Sequence, residues 1–420
     1  MINSGDTAWV LASAALVLFM TPGLAIFYGG MVRAKSALNM MMMSFAAIGI
    51  TTIIWVLYGY SLTFGTSQGG LIGNFNHLGL SGTLDQVVGA EGHQIPTLAF
   101  AMFQLTFAII TVALLSGAIT DRAKYGSWVL FVAAWVTLVY IPVAHWAFAS
   151  QSGTGGWIID KLGALDFAGG TVVEINSGAA ALALAIVLGK RDGFKRDPMR
   201  PHNMPLVLLG AGMLWFGWFG FNAGSALSAG SLAATAMINT QIASAAAAMS
   251  WITFEKYRDG KATTLGVASG AIAGAVVITP ACGYVNPIGA LVLGLIAGVA
   301  ASYAVSRKYK FGYDDSLDVV GVHGVSGIIG MIGIGLFATA TVNATGKEGL
   351  FINGSPDLLF KQLIAIVAVA AFSFCATWLI ATVITRTIGF RVPRDEELTG
   401  LDTTYHAESA YDITGNSNRY

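Results

Sequence analysis

Residues 167–188 read FAGGTVVEINSGAAALALAIVL, and Lys190, Arg191, Lys195, Arg196 and Arg200 follow at once. Within that run Glu174 is the single ionisable side chain. A hydrocarbon core roughly 30 Å thick asks a helix for about 20 apolar residues. A basic cluster just past the end marks the cytoplasmic side. The stretch therefore predicts a transmembrane helix that ends inside and carries a carboxylate part-way along. Its glycine, alanine and serine content suits a helix packed against other helices rather than against lipid alone.

The rest of the 420 residues extends this reading. Hydrophobic residues make up 55% and charged residues 10%, far below the roughly 25% charge of a soluble domain. Eleven apolar segments are predicted, at 8–31, 41–64, 97–119, 127–148, 167–188, 204–225, 231–254, 264–283, 287–306, 319–340 and 358–385. A barrel would show short alternating strands, so these are helices. Of 22 Lys and Arg, 19 fall after odd-numbered segments, and the exceptions are Lys161, Lys347 and Lys361. The separation fixes the N-terminus outside and the C-terminus inside. The expected class is an all-α polytopic membrane protein, with a membrane domain over 1–385 and a cytoplasmic tail over 386–420.

Several function classes drop out. Lys and Arg balance Asp and Glu at 22 each, which gives nucleic acid no electrostatic footprint. Cys282 and Cys375 lie in apolar runs, unlike a disulfide framework or a zinc site. The N-terminus lacks the basic region of a cleaved signal peptide. The segment from Gly65 to Pro96 holds His77, Asp85, Glu91 and His93 and reads as a solvated loop rather than a metal site. No His-Glu-x-x-His, nucleophile triad or phosphate loop is present. A carrier or channel is expected, with no cofactor and no enzymatic activity.

A short repeat links two segments. Glu174-Ile-Asn-Ser-Gly178 in the fifth matches His323-Gly-Val-Ser-Gly327 in the tenth, with Asp166 and Asp318 upstream. The two segments run in opposite directions, as a five-plus-five inverted repeat followed by one more helix requires. Ionisable groups inside spans are costly and mark function by default. The candidates are Asp166, Glu174, His145 and His323, with Asp318 at an entrance. Counting about 1.5 Å per residue puts Glu174 near the midplane and lets His323 meet it from the other side. Asp166 reads equally well as a helix cap or as a ligand. Phe103, Phe107, Trp146, Phe148, Trp218, Phe219 and Phe221 read, by composition alone, as an interfacial aromatic belt. Gly270, Gly274, Gly294 and Gly298 read as helix packing.

Eight stretches together resemble the ammonium transporter (Amt/Mep/Rh) family. They are Asp166-Phe-Ala-Gly-Gly-Thr-Val-Val-x-Ile-Asn, Trp218-Phe-Gly-Phe-Asn-Ala-Gly-Ser225, Gly321-Val-His323-Gly-Val, Phe27-Tyr-Gly-Gly, Tyr140-Ile-Pro, Thr279-Pro-Ala-Cys-Gly-Tyr284, Gly400-Leu-Asp and Ser409-Ala-Tyr411. The resemblance implies a bacterial-type transporter of the cell membrane, trimeric with one pore per subunit. It implies an outer ammonium site at Phe107, Phe148 and Ser225, with phenylalanine at 148 where tryptophan is usual. It also implies a gate of two stacked rings, Phe107 and Phe221, with Trp218 lining the vestibule and Asp166 beneath the site. Of the family's two pore histidines, His323 matches the second, while Glu174 stands at the first, as in some fungal members. Ammonium, with methylammonium as its analogue, is the implied substrate. A PII signalling protein is the implied cytoplasmic partner. The expectation is recruitment as ammonium and passage as ammonia, with a Glu174–His323 proton relay. The alternative is an ammonium sensor that signals through the tail.

Overall fold

The computed structural model describes residues 1–411, so Arg419, one of the basic residues counted above, lies outside the described residues. The described chain is mostly helical. In order the main helices are α1 (Ser4–Met31), α2 (Ala34–Phe64), α3 (Thr97–Ala118), α4 (Tyr125–Phe148), α5 (Gly170–Leu188), α6 (Met204–Gly224), α7 (Ser231–Asp259), α8 (Thr264–Ile278), α9 (Pro287–Phe311), α10 (Val320–Phe337) and α11 (Asp357–Thr387). Ten of them, all but α8, are long and apolar enough to cross a membrane. The regular part of α8 stops at 15 residues because Pro280 has no N–H to donate. Hydrogen-bonded turns carry the same direction onward, with Cys282 N donating to Ile278 O at 2.7 Å and Val285 N to Ala281 O at 3.0 Å.

Loop contacts sort the connections onto two faces. On one, Asn3 N donates to Gln94 O, Trp157 N to Gly70 O and Thr339 N to Tyr284 O. Lys347 reaches Gly163 O, and Ala229 N reaches Asp6. The other face carries the basic connections. Arg33 and Arg191 both pair with Asp121, Arg191 also pairs with Asp314, and Lys124 N donates to Phe390 O. The tail folds back onto this basic face. Asp402 accepts from Leu38 N and Asn39 N at 3.0 and 2.8 Å, capping α2 across 364 residues of chain. Lys35 donates to Leu398 O at the end of α12 (Arg394–Thr399). Tyr411 Oη meets His202 Nε2 at 2.8 Å.

Glycine sets the closest helix contacts, as expected from its spacing. A Cβ on Gly274 would lie 2.6 Å from Ser244 Cα, and one on Gly294 would lie 2.8 Å from Ala243 Cα, so α8 and α9 both press their backbones onto α7. Another close seam lies between α5 and α10. A Cβ on Gly178 would fall on Gly324 Cα, and one on Gly327 would lie 2.7 Å from Glu174 Cβ.

Both helices of that seam open on a six-residue π-helical turn, Gly170–Ile175 in α5 and Val320–Val325 in α10. Such turns recur at functional sites. Each is held by a carboxylate five residues before a backbone N–H: Asp166 accepts from Thr171 N and Asp315 from Val320 N, both at 2.7 Å. The counterpart of Asp166 is therefore Asp315, not Asp318 as the short repeat suggested. Asp318 instead pairs with Lys308 at 2.6 Å.

Of the loop residues, His93 reaches Asp6 on α1 at 2.8 Å and His77 meets Ser81 O within its own loop at 3.2 Å. Overpacking a tight contact costs about 1–3 kcal/mol, and at the α5–α10 seam the obstructing atom is backbone. Gly178→Val should lower the melting temperature of detergent-solubilised protein by several degrees or more. Differential scanning fluorimetry measures this, and Gly212→Val, facing open space, serves as the matched control.

Candidate functional site

Two cavities lie one behind the other. The first, of about 160 Å³, is lined by Phe100, Gln104, Phe107, Phe148, Asp166, Phe167 and Ser225 among others. It adjoins a wider vestibule of about 410 Å³ through shared walls at Phe100, Phe148 and Leu227. Sequence spacing explains the α3 wall, because Phe100, Gln104 and Phe107 are four and three residues apart and so share a helix face.

Behind this chamber Phe107 stacks on Phe221, with ring centroids 4.1 Å apart and planes 26° from parallel. Both rings are buried. Phe148 presents an edge-on contact to Phe107 at 6.4 Å and 85°. The Ser225 hydroxyl donates to Phe221 O at 2.8 Å, which leaves its oxygen free to accept. Trp218 does not stand at the entrance, where the resemblance placed it. It lies beyond the ring pair, 5.8 Å from Phe221, with its indole N–H fixed on Thr279 Oγ1 at 2.9 Å.

Asp166 resolves into a cap. Its Oδ1 accepts from Gly169 N and Gly170 N at 2.8 and 2.6 Å, and its Oδ2 from Thr171 N and Thr171 Oγ1 at 2.7 and 2.5 Å. Four donors occupy both oxygens, about the full capacity of a carboxylate. Asp166 thus brings negative charge to the chamber wall with no lone pair to spare. The turn needs glycine at 169, where φ is 113°, a region L side chains rarely enter.

Past the ring pair lies the second cavity, with Glu174, His323, Trp218 and Phe221 among its lining residues and the rest almost entirely apolar. Its volume of about 20 Å³ has room for roughly one water-sized molecule. His323 Nδ1 lies 2.7 Å from Glu174 Oε2, and Glu174 Oε1 has no hydrogen-bond partner among the described residues. The two groups predicted to meet at mid-depth do meet. His145, the remaining intramembrane candidate, is elsewhere. Its Nδ1 donates to Thr63 O at 2.7 Å and its Nε2 faces Ser67 Oγ at 2.8 Å, so it ties the end of α4 to the end of α2 and the loop that follows α2.

On the basic face a buried ion network supports the start of α10. Arg191 holds Asp314 through Nε and Nη2, both at 2.9 Å. Fully buried Arg122 donates to Ala118 O, Asp314 O and Ser316 Oγ. Burial pulls the Arg122 guanidinium down to about 10, against the charge of Asp314. Burial alone would raise Asp314, yet hydrogen bonds and charge from Arg191, with the charge of Arg122, hold its carboxyl below the usual range. Asp315 goes the other way: burial pushes it up to about 6 although Lys308 pulls it down. Sequence reasoning missed this network because its members sit in basic connections that read as solvated, and partners such as Arg122 and Ser316 are 194 residues apart.

Helices of this length and apolarity define a multi-pass α-helical membrane protein. The chain belongs to the Ammonium Transporter Family, whose model matches residues 8–411. It is 51% identical over 433 residues to an ammonium transporter of Mycobacterium tuberculosis (strain ATCC 25618 / H37Rv), covering 98% of this chain and 91% of the relative. The crystal structure of Candida albicans Mep2 superposes with a TM-score of 0.86 at 33% identity, covering 94% of this chain and 88% of that one. A structure described as a sensor Amt protein also matches, with a TM-score of 0.86 at 28% identity over 96% of this chain and 98% of that one.

The Asp315 shift carries a sign. A carboxyl raised from an ordinary value near 4 binds more protons folded than unfolded between about pH 4 and 6, so it makes stability fall as pH rises through that window. Asp314, shifted down, acts only below about pH 4. Asp315→Asn should therefore flatten a change of about 1–3 kcal/mol between pH 4 and 6, read as the pH dependence of thermal unfolding against wild type.

Proposed function

We propose that this protein carries ammonium across a cell membrane by binding the cation in the Phe107–Phe148–Ser225 chamber and passing neutral ammonia onward. The observation that carries the reading is the ring pair. Phe107 and Phe221, 4.1 Å apart, separate the chamber from a cavity with room for about one water-sized molecule. Cation–π contacts offer about 0.5–2 kcal/mol each, whereas stripping a small ion of water costs several kcal/mol even after relaxation. Aromatic rings can gather the ion but cannot take it through that file. Deprotonation lifts the penalty, with Asp166 favouring the cation in the chamber and the Glu174–His323 pair taking the proton. The two groups share one hydrogen bond, and Glu174 Oε1, buried and without a partner among the described residues, keeps its lone pairs for a proton.

The same proposal covers the architecture. Eleven crossings, in a five-plus-five inverted repeat with one further helix, are supported by the turns that extend α8 to Val285 and by the sorting of loops onto two faces. The basic face is assigned to the cytoplasm by the positive-inside bias, which puts the N-terminus outside. Residues 1–385 form the transport domain and 386–420 the regulatory tail, although α11 runs on to Thr387. A homotrimer in the plasma membrane, methylammonium as analogue and a PII protein on the basic face complete the reading. Sensing is the weaker alternative, since the relative named a transporter is 51% identical and the one named a sensor 28%.

Proteoliposomes given an ammonium pulse test the mechanism. Wild type should give a current that Glu174→Ala abolishes; an unchanged current in the variant removes the relay role. Phe148→Trp should lower the half-saturating ammonium concentration by about two- to fivefold, because tryptophan is the best cation–π face. That shift is read from the concentration dependence of the same current.

A further inference from the structure

The entrance chamber holds one polar side chain that neither charge nor resemblance singled out. Gln104 lies on α3 one turn before Phe107 and lines the chamber wall with Phe148, Asp166 and Ser225. Its side chain is only 9% exposed, yet its amide makes no hydrogen bond to any other described residue, and its polar atoms are not sealed off from the cavity. A buried amide normally finds partners, because leaving it unpaired costs about 1–3 kcal/mol. An unpaired one turned into a small polar chamber is a built acceptor or donor awaiting a ligand.

We propose that Gln104 is a specificity-determining residue of the chamber, its Oε1 accepting an N–H of the bound cation. This rests on the ammonium reading above. The hydrogen-bond account of the chamber leads there. Ammonium has four N–H donors. The carboxylate of Asp166 is fully occupied by Gly169, Gly170 and Thr171, so it contributes charge and no contact. Phe107 and Phe148 offer ring density, and the Ser225 oxygen offers a lone pair because its proton is spent on Phe221 O. Three partners leave one N–H without an acceptor, and the Gln104 amide is the remaining polar group in the wall. Rotation of the amide brings Oε1 inward, with the free Nε2 turned from the cation.

The consequence is selectivity among ammonium ions. Methylammonium has three N–H groups and a methyl, which loses nothing against an apolar wall. Gln104 therefore favours ammonium over methylammonium, whereas leucine at this position favours the reverse. Because the amide holds no other residue in place, its removal orphans no partner.

The experiment measures half-saturating ammonium and methylammonium concentrations for purified full-length protein in proteoliposomes, for wild type, Gln104→Leu and Gln104→Glu. Gln104→Leu should raise the ammonium value about tenfold and the methylammonium value less than twofold, so the preference ratio falls. Gln104→Glu keeps an acceptor of the same length, adds negative charge and should tighten ammonium binding where the carboxylate is ionised. An unchanged preference ratio in Gln104→Leu overturns the proposal while leaving wild-type transport, and with it the functional reading, intact. Should Gln104→Leu fail to fold, an ammonium value in Gln104→Glu equal to that of wild type at every pH overturns it equally. Wild type with no saturable response to ammonium overturns the functional reading itself.

Discussion

The close approach of α5 and α10 governs the rest of the molecule. Where Gly178 lies on Gly324, no side chain separates the two backbones, and only at that spacing can Glu174 and His323 share a 2.7 Å hydrogen bond. A buried charged or polar pair is a poor source of stability, so the glycine contact must hold the helices and the pair must be tolerated. The π-helical turns follow from the same arrangement. Each adds a residue to the turn and aims its ionisable side chain into the file between the helices. Each is then anchored by a carboxylate, Asp166 on one side and Asp315 on the other.

Those two carboxylates do similar mechanical work under different electrostatics. Asp166 is satisfied at both oxygens by four donors. Asp315 keeps Oδ1 without a partner among the described residues, and burial moves its carboxyl up to about 6. Around it, Asp314, Arg191 and Arg122 form a paired network that fixes the segment leading into α10. The entrance end is thus built from backbone donors, and the basic end from guanidinium groups. The difference follows from supply, since basic residues concentrate on one face of the bundle.

Much of this was legible before any coordinates. The energetic cost of charge in a bilayer marked Glu174 and His323 out of 420 residues, and glycine spacing marked α8 and α9 as packing helices. The same rule over-reached at His145, which is a structural tie, because a cost argument cannot tell a relay from a brace. It was blind to Gln104, which is uncharged and sits among aromatics. The repeat extends upstream of its five-residue core. A five-residue match drew attention to Asp318, whereas the equivalent position is fixed by which carboxylate accepts the turn's N–H. The Arg122 and Arg191 network was illegible for a different reason: its contacts join distant connections, and no local pattern encodes them.

The α5–α10 seam also limits how the protein can be repaired. At most core positions an enlarged side chain can be relieved by shrinking its neighbour. Here the neighbour of Gly178 is Gly324, and no genetically encoded residue is smaller. A selection for second-site suppressors of a Gly178 lesion would have nothing to trim, and revertants at the lesion itself would dominate the survivors.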